Sequence, residues 1–122
     1  MAWTSKGTDR QEAVASTPDA TPVVVLTYVV RAGTASWLEI TVVGRKTATA
    51  DYTVQRYRGL ATEAAGAATW NARTQDGAAS AGAATWVIAV AAAASTITVT
   101  VTGVVATSID WRVTVEGEHA EN

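Results

Sequence analysis

A chain of 122 residues with nine Lys and Arg against eleven Asp and Glu carries a formal charge of −2, which supplies no field for holding nucleic acid. It is 48% apolar and only 16% charged, with five Trp, three Tyr, no Phe and no Cys, so disulfides and thiolate metal sites are excluded and the length allows one core, built mostly of Ala, Val and Ile. The longest apolar run, Trp86 to Ala94, has nine residues, against the ~20 of a membrane-spanning helix.

The first residues, MAWTSKGTDRQEAVAS, mix charges and lack the apolar stretch of a secretory signal. Residues 1–22 hold both prolines, Pro18 and Pro22, and read as an extended N-terminal arm, with a helical turn or two as an option over Ser5 to Ala15. A polar terminus of this kind is ordinarily a loose tail. Trp3, however, is a large apolar group that needs cover, and a neighbouring subunit is a candidate to supply it. Val23 to Val30, VVVLTYVV, is a β-branched run suited to a core strand. Ser36 to Arg45 alternates, with Leu38, Ile40 and Val42 on one face and Trp37, Glu39, Thr41 and Val43 on the other. Trp37 and Val43 on that second face need either a covering loop or a contact.

Ala50 to Arg58 predicts another strand, after which residues 59–82 fade into Ala, Gly, Thr and Ser. A helix over GLATEAAGAATW is set aside, because Gly59 and Gly66 interrupt it and no apolar stripe marks a face. The expectation is a loop, a short strand near Thr69 to Arg73, and a second loop through Asp76 to Gly82. Ala84 to Ala91 alternates again. The last stretch, Ser95 to Glu116, has two amphipathic arms: Ile97, Val99 and Val101 against a threonine ladder, then Ile109, Trp111, Val113 and Val115 against Asp110, Arg112, Thr114 and Glu116. Joined through Gly103, they read as an antiparallel hairpin, with Gly103 as turn residue and Ile109, Trp111 and Val113 as core determinants. About seven strands at this spacing predict an all-β fold, a single antiparallel β-sandwich over residues 23–116 with a short tail at 117–122.

Catalytic groups are sparse. The one histidine, His119, sits near the terminus, and Glu116, Glu118 and Glu121 beside it lack ligand spacing on a rigid element. Glu39, Asp51 and Asp110 fall in strands, where a solvated carboxylate paired with Arg45, Arg56 or Arg112 is the ordinary reading. No nucleophile elbow or phosphate loop occurs, so neither enzyme activity nor a cofactor is expected. Two surface clusters stand out. Arg56 and Arg58 would meet an acidic neighbour or pair with Asp51 or Glu63; Trp70, Asn71, Arg73 and Asp76 carry the residue types that grip sugar rings, although the preferred reading of Trp70 and Trp86 is as edge anchors of a small-residue core without Phe.

The succession WLEITVVGRKTATADYTVQRYRG, GAATWVIAVAA and ITVTVTGVVATSIDWRVTVE, closing on Val101, Thr102, Gly103, Ile109, Trp111 and Val113, resembles a small β-rich domain of tailed-bacteriophage structural proteins. The resemblance spans about residues 30–116. It implies a jelly-roll-like sandwich acting as a homo-oligomer, with a trimer as the working number, on a virion assembled in the host cytoplasm. No catalytic residue comes with it. The chain's brevity favours a capsid decoration or cement protein bound to the major capsid protein through Trp3, Trp37, Val43, Arg56 and Arg58. The alternative is a fibre or tail-associated module that binds a host glycan at Trp70 to Asp76. No nucleic-acid or membrane partner is expected.

Overall fold

The structure, a computed structural model, describes residues 5–121. It is an antiparallel β-sandwich of eight strands: β1 (Ser5–Thr17), β2 (Val23–Val29), β3 (Ala35–Lys46), β4 (Tyr52–Ala64), β5 (Ala67–Ala79), β6 (Val87–Ala93), β7 (Thr96–Thr102) and β8 (Ile109–Glu121). A single 3-10 turn, Ala81–Ala83, lies between β5 and β6. One sheet has the order β1-β8-β3-β4-β5 and the other β2-β7-β6. Pairing of β1 with β8 in one sheet and β2 with β7 in the other is the nested arrangement of a jelly roll. The next strands depart from that pattern, since β3, β4 and β5 follow one another within one sheet.

Period-two alternation puts one apolar row of each strand between the sheets. Leu38, Ile40 and Val42 of β3 and Ile109, Val113 and Val115 of β8 meet Ile97, Val99 and Val101 of β7, and all nine are fully buried. Leu26, Tyr28 and Val30 extend the layer. Trp111 provides the bulk that the missing Phe would have given. Its ring occupies the space where Gly44, opposite it on β3, would carry a Cβ, which would sit 2.6 Å from Cζ3. Trp86 meets it edge-on, with centroids 5.8 Å apart. The indole Nε1 donates to Thr17 Oγ1 at 2.9 Å, both groups being buried.

Several expectations change. The last two arms are not a hairpin: β7 pairs with β2 and β6, whereas β8 pairs with β1 and β3, so residues 103–108 carry the chain from one sheet to the other. Gly103 therefore serves close approach and not a turn. A Cβ there would lie 2.6 Å from Thr17 Oγ1 and 2.9 Å from the Asp19 carbonyl, while the left-handed residue of the connection is Ala106 at φ 56°. The expected arm is, over residues 5–17, the edge strand β1, paired with β8 along its whole length and not helical. It reads as polar because its inward row is Gln11, Ala13, Ala15 and Thr17. The expected tail at 117–122 is, as far as Glu121, a continuation of β8. Gly117 lets Leu38 and the Tyr28 hydroxyl come where a side chain would be.

The Ala- and Gly-rich middle forms strands as well. β4 runs on to Ala64, turns through Ala65 and Gly66 at φ 54° and 82°, and returns as β5. Two successive left-handed residues make the type I′ turn that matches the twist of a two-residue hairpin. Rejecting a helix in this region and expecting a short strand near Thr69 to Arg73 agree with the structure, since that stretch lies within β5; expecting loops on either side of it does not.

Trp111→Phe removes the donor to Thr17 and the part of the indole that lies over Gly44, and is expected to cost about 2–4 kcal/mol in urea denaturation. Adding Thr17→Val is expected to cost less than the sum of the two single changes, with a coupling of about 1 kcal/mol. Gly103→Ala, which forces a methyl against Thr17 and Asp19, is expected to cost about 1–3 kcal/mol by overpacking.

Candidate functional site

The broadest surface of the molecule is the outer face of the five-stranded sheet. Registers across β1, β8, β3, β4 and β5 place outward residues in rows. One row is Glu118, Trp37, Leu60 and Asn71; the next is Arg10, Glu116, Glu39, Arg58 and Thr74; the next is Glu12, Thr114, Thr41, Arg56 and Asp76. A fourth row, Val14, Arg112, Val43, Val54 and Ala78, is apolar apart from one arginine. Tyr52 lies beyond it, opposite Arg45.

The charged rows neutralise themselves. Glu39 and Glu116 face each other directly across β3 and β8, a repulsive placement for two carboxylates. Cations flank the pair: Arg58 Nε is 3.2 Å and Arg56 Nε 3.5 Å from Glu39, and Arg10 Nη1 is 3.3 Å from Glu116. Glu12 takes Arg10 at 3.5 Å and Arg112 at 3.6 Å. These side chains keep 38–64% of their exposure, so each pair is worth only ~0–1 kcal/mol. Their effect is to hold the long side chains in place and to leave the apolar residues between them open. Trp37 is 44% exposed and Val14 68%.

Four of the five residues expected to make assembly contacts, Trp37, Val43, Arg56 and Arg58, are thus on one face. Trp3 lies outside the described residues. The arginines take Glu39 as partner; Asp51 is instead held by Thr49 and Ser80, and Glu63 Oε1 accepts from Gly33 N–H. Trp70, Asn71, Arg73 and Asp76 form no loop. They belong to β5, where Trp70 packs against the core over Gly59, Arg73 is the extra residue of a bulge, and Asn71 and Asp76 face outward with the rows above. The residues that sequence reasoning left unassigned are Val14, Tyr52, Val54 and Leu60. Period two groups Tyr52 and Val54 with Arg56 against Asp51, Thr53, Gln55 and Tyr57, and the partners of β4 decide which of the two sets faces outward.

The second broad surface is the outer face of the three-stranded sheet. Thr96, Thr98, Thr100 and Thr102 form its middle file, flanked by Val24, Thr27 and Val29 on β2 and by Val87, Ala89, Ala91 and Ala93 on β6. It carries no charge. Thr96 and Thr98 hydroxyls donate to the carbonyls of Ala93 and Ala91, so part of its polarity is used internally. Among the described residues, no group of three or more His, Cys, Asp or Glu is placed to hold a metal, and no helix is long and apolar enough to cross a membrane.

No family model and no curated protein matches the chain. Among solved structures, it is similar to the tailspike protein of Acinetobacter phage vB_ApiP_P1, at 17% identity and a TM-score of 0.43 over 88% of this chain. The chain spans about a fifth of the tailspike's length, the match covering 20% of it.

Glu39→Ala is expected to shift stability by less than about 1 kcal/mol, because the pairs it breaks are exposed, and the shift should shrink further in 0.5 M salt as the Debye length falls to a few Å. Urea denaturation at low and high salt measures both.

Proposed function

We propose that this chain is a non-enzymatic structural module of a bacteriophage particle, acting by surface contact through the outer face of its five-stranded sheet and mounted on the tail. One observation carries the contact role. Trp37, Tyr52, Val54 and Val14 lie open on a sheet five strands wide, with Val43 half-buried among them, beside charges most of which pair with one another. Exposed aromatic and aliphatic residues within a polar, self-paired surround have the composition of a protein interface. Binding there would desolvate few unpaired charges, which keeps the cost of burial low.

The phage setting rests on the sequence resemblance. The resemblance implies two settings that would use the same face, a tail-associated one and a capsid-decorating one, and the position of the chain on the particle separates them. The glycan-binding role built on Trp70 loses its central platform, since that ring is packed against the core.

The test is to tag the chain in its phage, purify particles by sedimentation, and locate the tag by immunogold labelling. Label at the tail at a fixed copy number is the expected result. Label spread over the head would replace the tail with the capsid lattice, and absence from particles would overturn both. Trp37→Glu combined with Val54→Glu, both at exposed positions, is expected to leave the fold intact while lowering incorporation at least tenfold.

A further inference from the structure

The two sheets are unequal, and the inequality falls on one flank. At its start β5 closes onto the smaller sheet, Ala68 N–H donating to the Ala94 carbonyl at the end of β6. Beyond Trp70 it parts from that sheet. Residues 71–79 of β5 are all exposed, on the inward as well as the outward side, and their partner is β4 alone. Beneath this shelf runs a groove of about 340 Å³ lined by Gln55, Tyr57 and Gln75 above and by Ala83, Trp86 and Ile88 below. No residue lining it is charged. Tyr57, partly buried there, has its phenol pushed above the ordinary range by desolvation.

The lower wall of the groove is β6, the edge of the three-stranded sheet. Edge strands are normally guarded by charge, proline or a bulge. β6 reads VIAVAAA, pairs regularly with β7, and has none of these. The molecule therefore has, side by side, a strand that projects without a floor and an edge that lacks a neighbour.

We propose that a second copy of this chain fills both vacancies at once, through a two-fold axis lying parallel to the strands. Such an axis exchanges the two layers. The shelf of one copy then enters at the level of the partner's smaller sheet, and β5 of each lies beside β6 of the other. Strand direction permits it: the start of β5 sits at the end of β6, so the two run antiparallel, and rotation about an axis parallel to the strands preserves that sense. The uncharged inward residues Ala72, Gln75, Gly77 and Ala79 of the two shelves face one another.

The area supports this occupant. Nine residues by two strands make a shelf of roughly 30 by 10 Å, or ~300 Å² of sheet per copy, and the paired edges add about as much again. The total of about 1,200 Å² reaches the lower bound for specific interfaces. The inference does not depend on the phage reading, nor on the outer face discussed with it.

The absence of cysteine makes the test clean. Asn71→Cys on β5 and Ala91→Cys on β6 are made as separate chains, each at an exposed, outward position. Mixed under mild oxidation they are expected to cross-link as a heterodimer, while neither alone does; the pair Thr74→Cys and Ala89→Cys repeats the measurement one step along the ladder. Cross-linking of either single variant with itself, or no cross-link in either mixture, would overturn the proposal. Sedimentation velocity of the unsubstituted chain at 100 µM is expected to give a dimer; a monomer or a trimer refutes the two-fold exchange. Gln75→Glu, exposed in the single copy, is expected to weaken dimerisation at least tenfold with the thermal melt of the dilute monomer unchanged. An undiminished dimer in that variant would also refute it.

Discussion

The fold depends on a hydrogen bond between two residues 94 positions apart, from the Trp111 indole to the Thr17 hydroxyl. Thr17 ends β1, the outer strand of one sheet, and Gly103 passes against it where the chain leaves the other sheet. Gly44 makes room for the indole on β3, and Trp86 closes over its edge just before β6 begins. One buried side chain therefore ties the first strand, the crossing into the last strand, the middle of the large sheet and the start of β6. A core of Val, Ile and Ala supplies apolar area but little shape. Specific geometry comes from the large indole, from Gly44, which admits it, and from Gly103, which admits its hydrogen-bond partner Thr17.

The period-two rows of β3, β7 and β8 were legible in the sequence, and with them the β-sandwich. Which strands pair was not. An amphipathic strand has one apolar face whether its neighbour in sequence lies beside it or across the core, so the alternation of β7 and β8 fits a hairpin and a sheet crossing equally well. The distinction lies in Gly103, whose need for glycine comes from Thr17 and Asp19, far away in sequence. β1, and β5 beyond the short stretch predicted near Thr69 to Arg73, were illegible for a different reason. Apart from Trp70, their inward positions are filled by Ala, Gly, Gln and Thr, which give no apolar signal, and ladder hydrogen bonding to β8 and β4 defines them as strands.

The outer face was legible in part. Trp37 and Val43 stood out because they broke an otherwise polar row, and β3 carries both. Arg56 and Arg58 stood out as a cluster, but their partner Glu39 is on another strand, reached only through the β3–β4 register. The Trp70 cluster misled because aromatic, amide and charged residues were read as one surface. A strand sends alternate residues to opposite sides, and the bulge at Arg73 changes the count, so Trp70 goes inward while Asn71 and Asp76 go outward.

The low charge of the chain acquires a location from this layout. Charges gather on the outer face of the large sheet, where they pair, whereas the outer face of the small sheet, the groove and β6 have none. A compositional bias in the coding sequence would have scattered the deficit over the surface. Its concentration on the small sheet and the open flank instead follows the positions where a sheet leaves backbone groups and apolar side chains without cover. An edge strand in water is ordinarily guarded by charge, proline or a bulge; β5 has the bulge at Arg73, whereas β6 has none of the three.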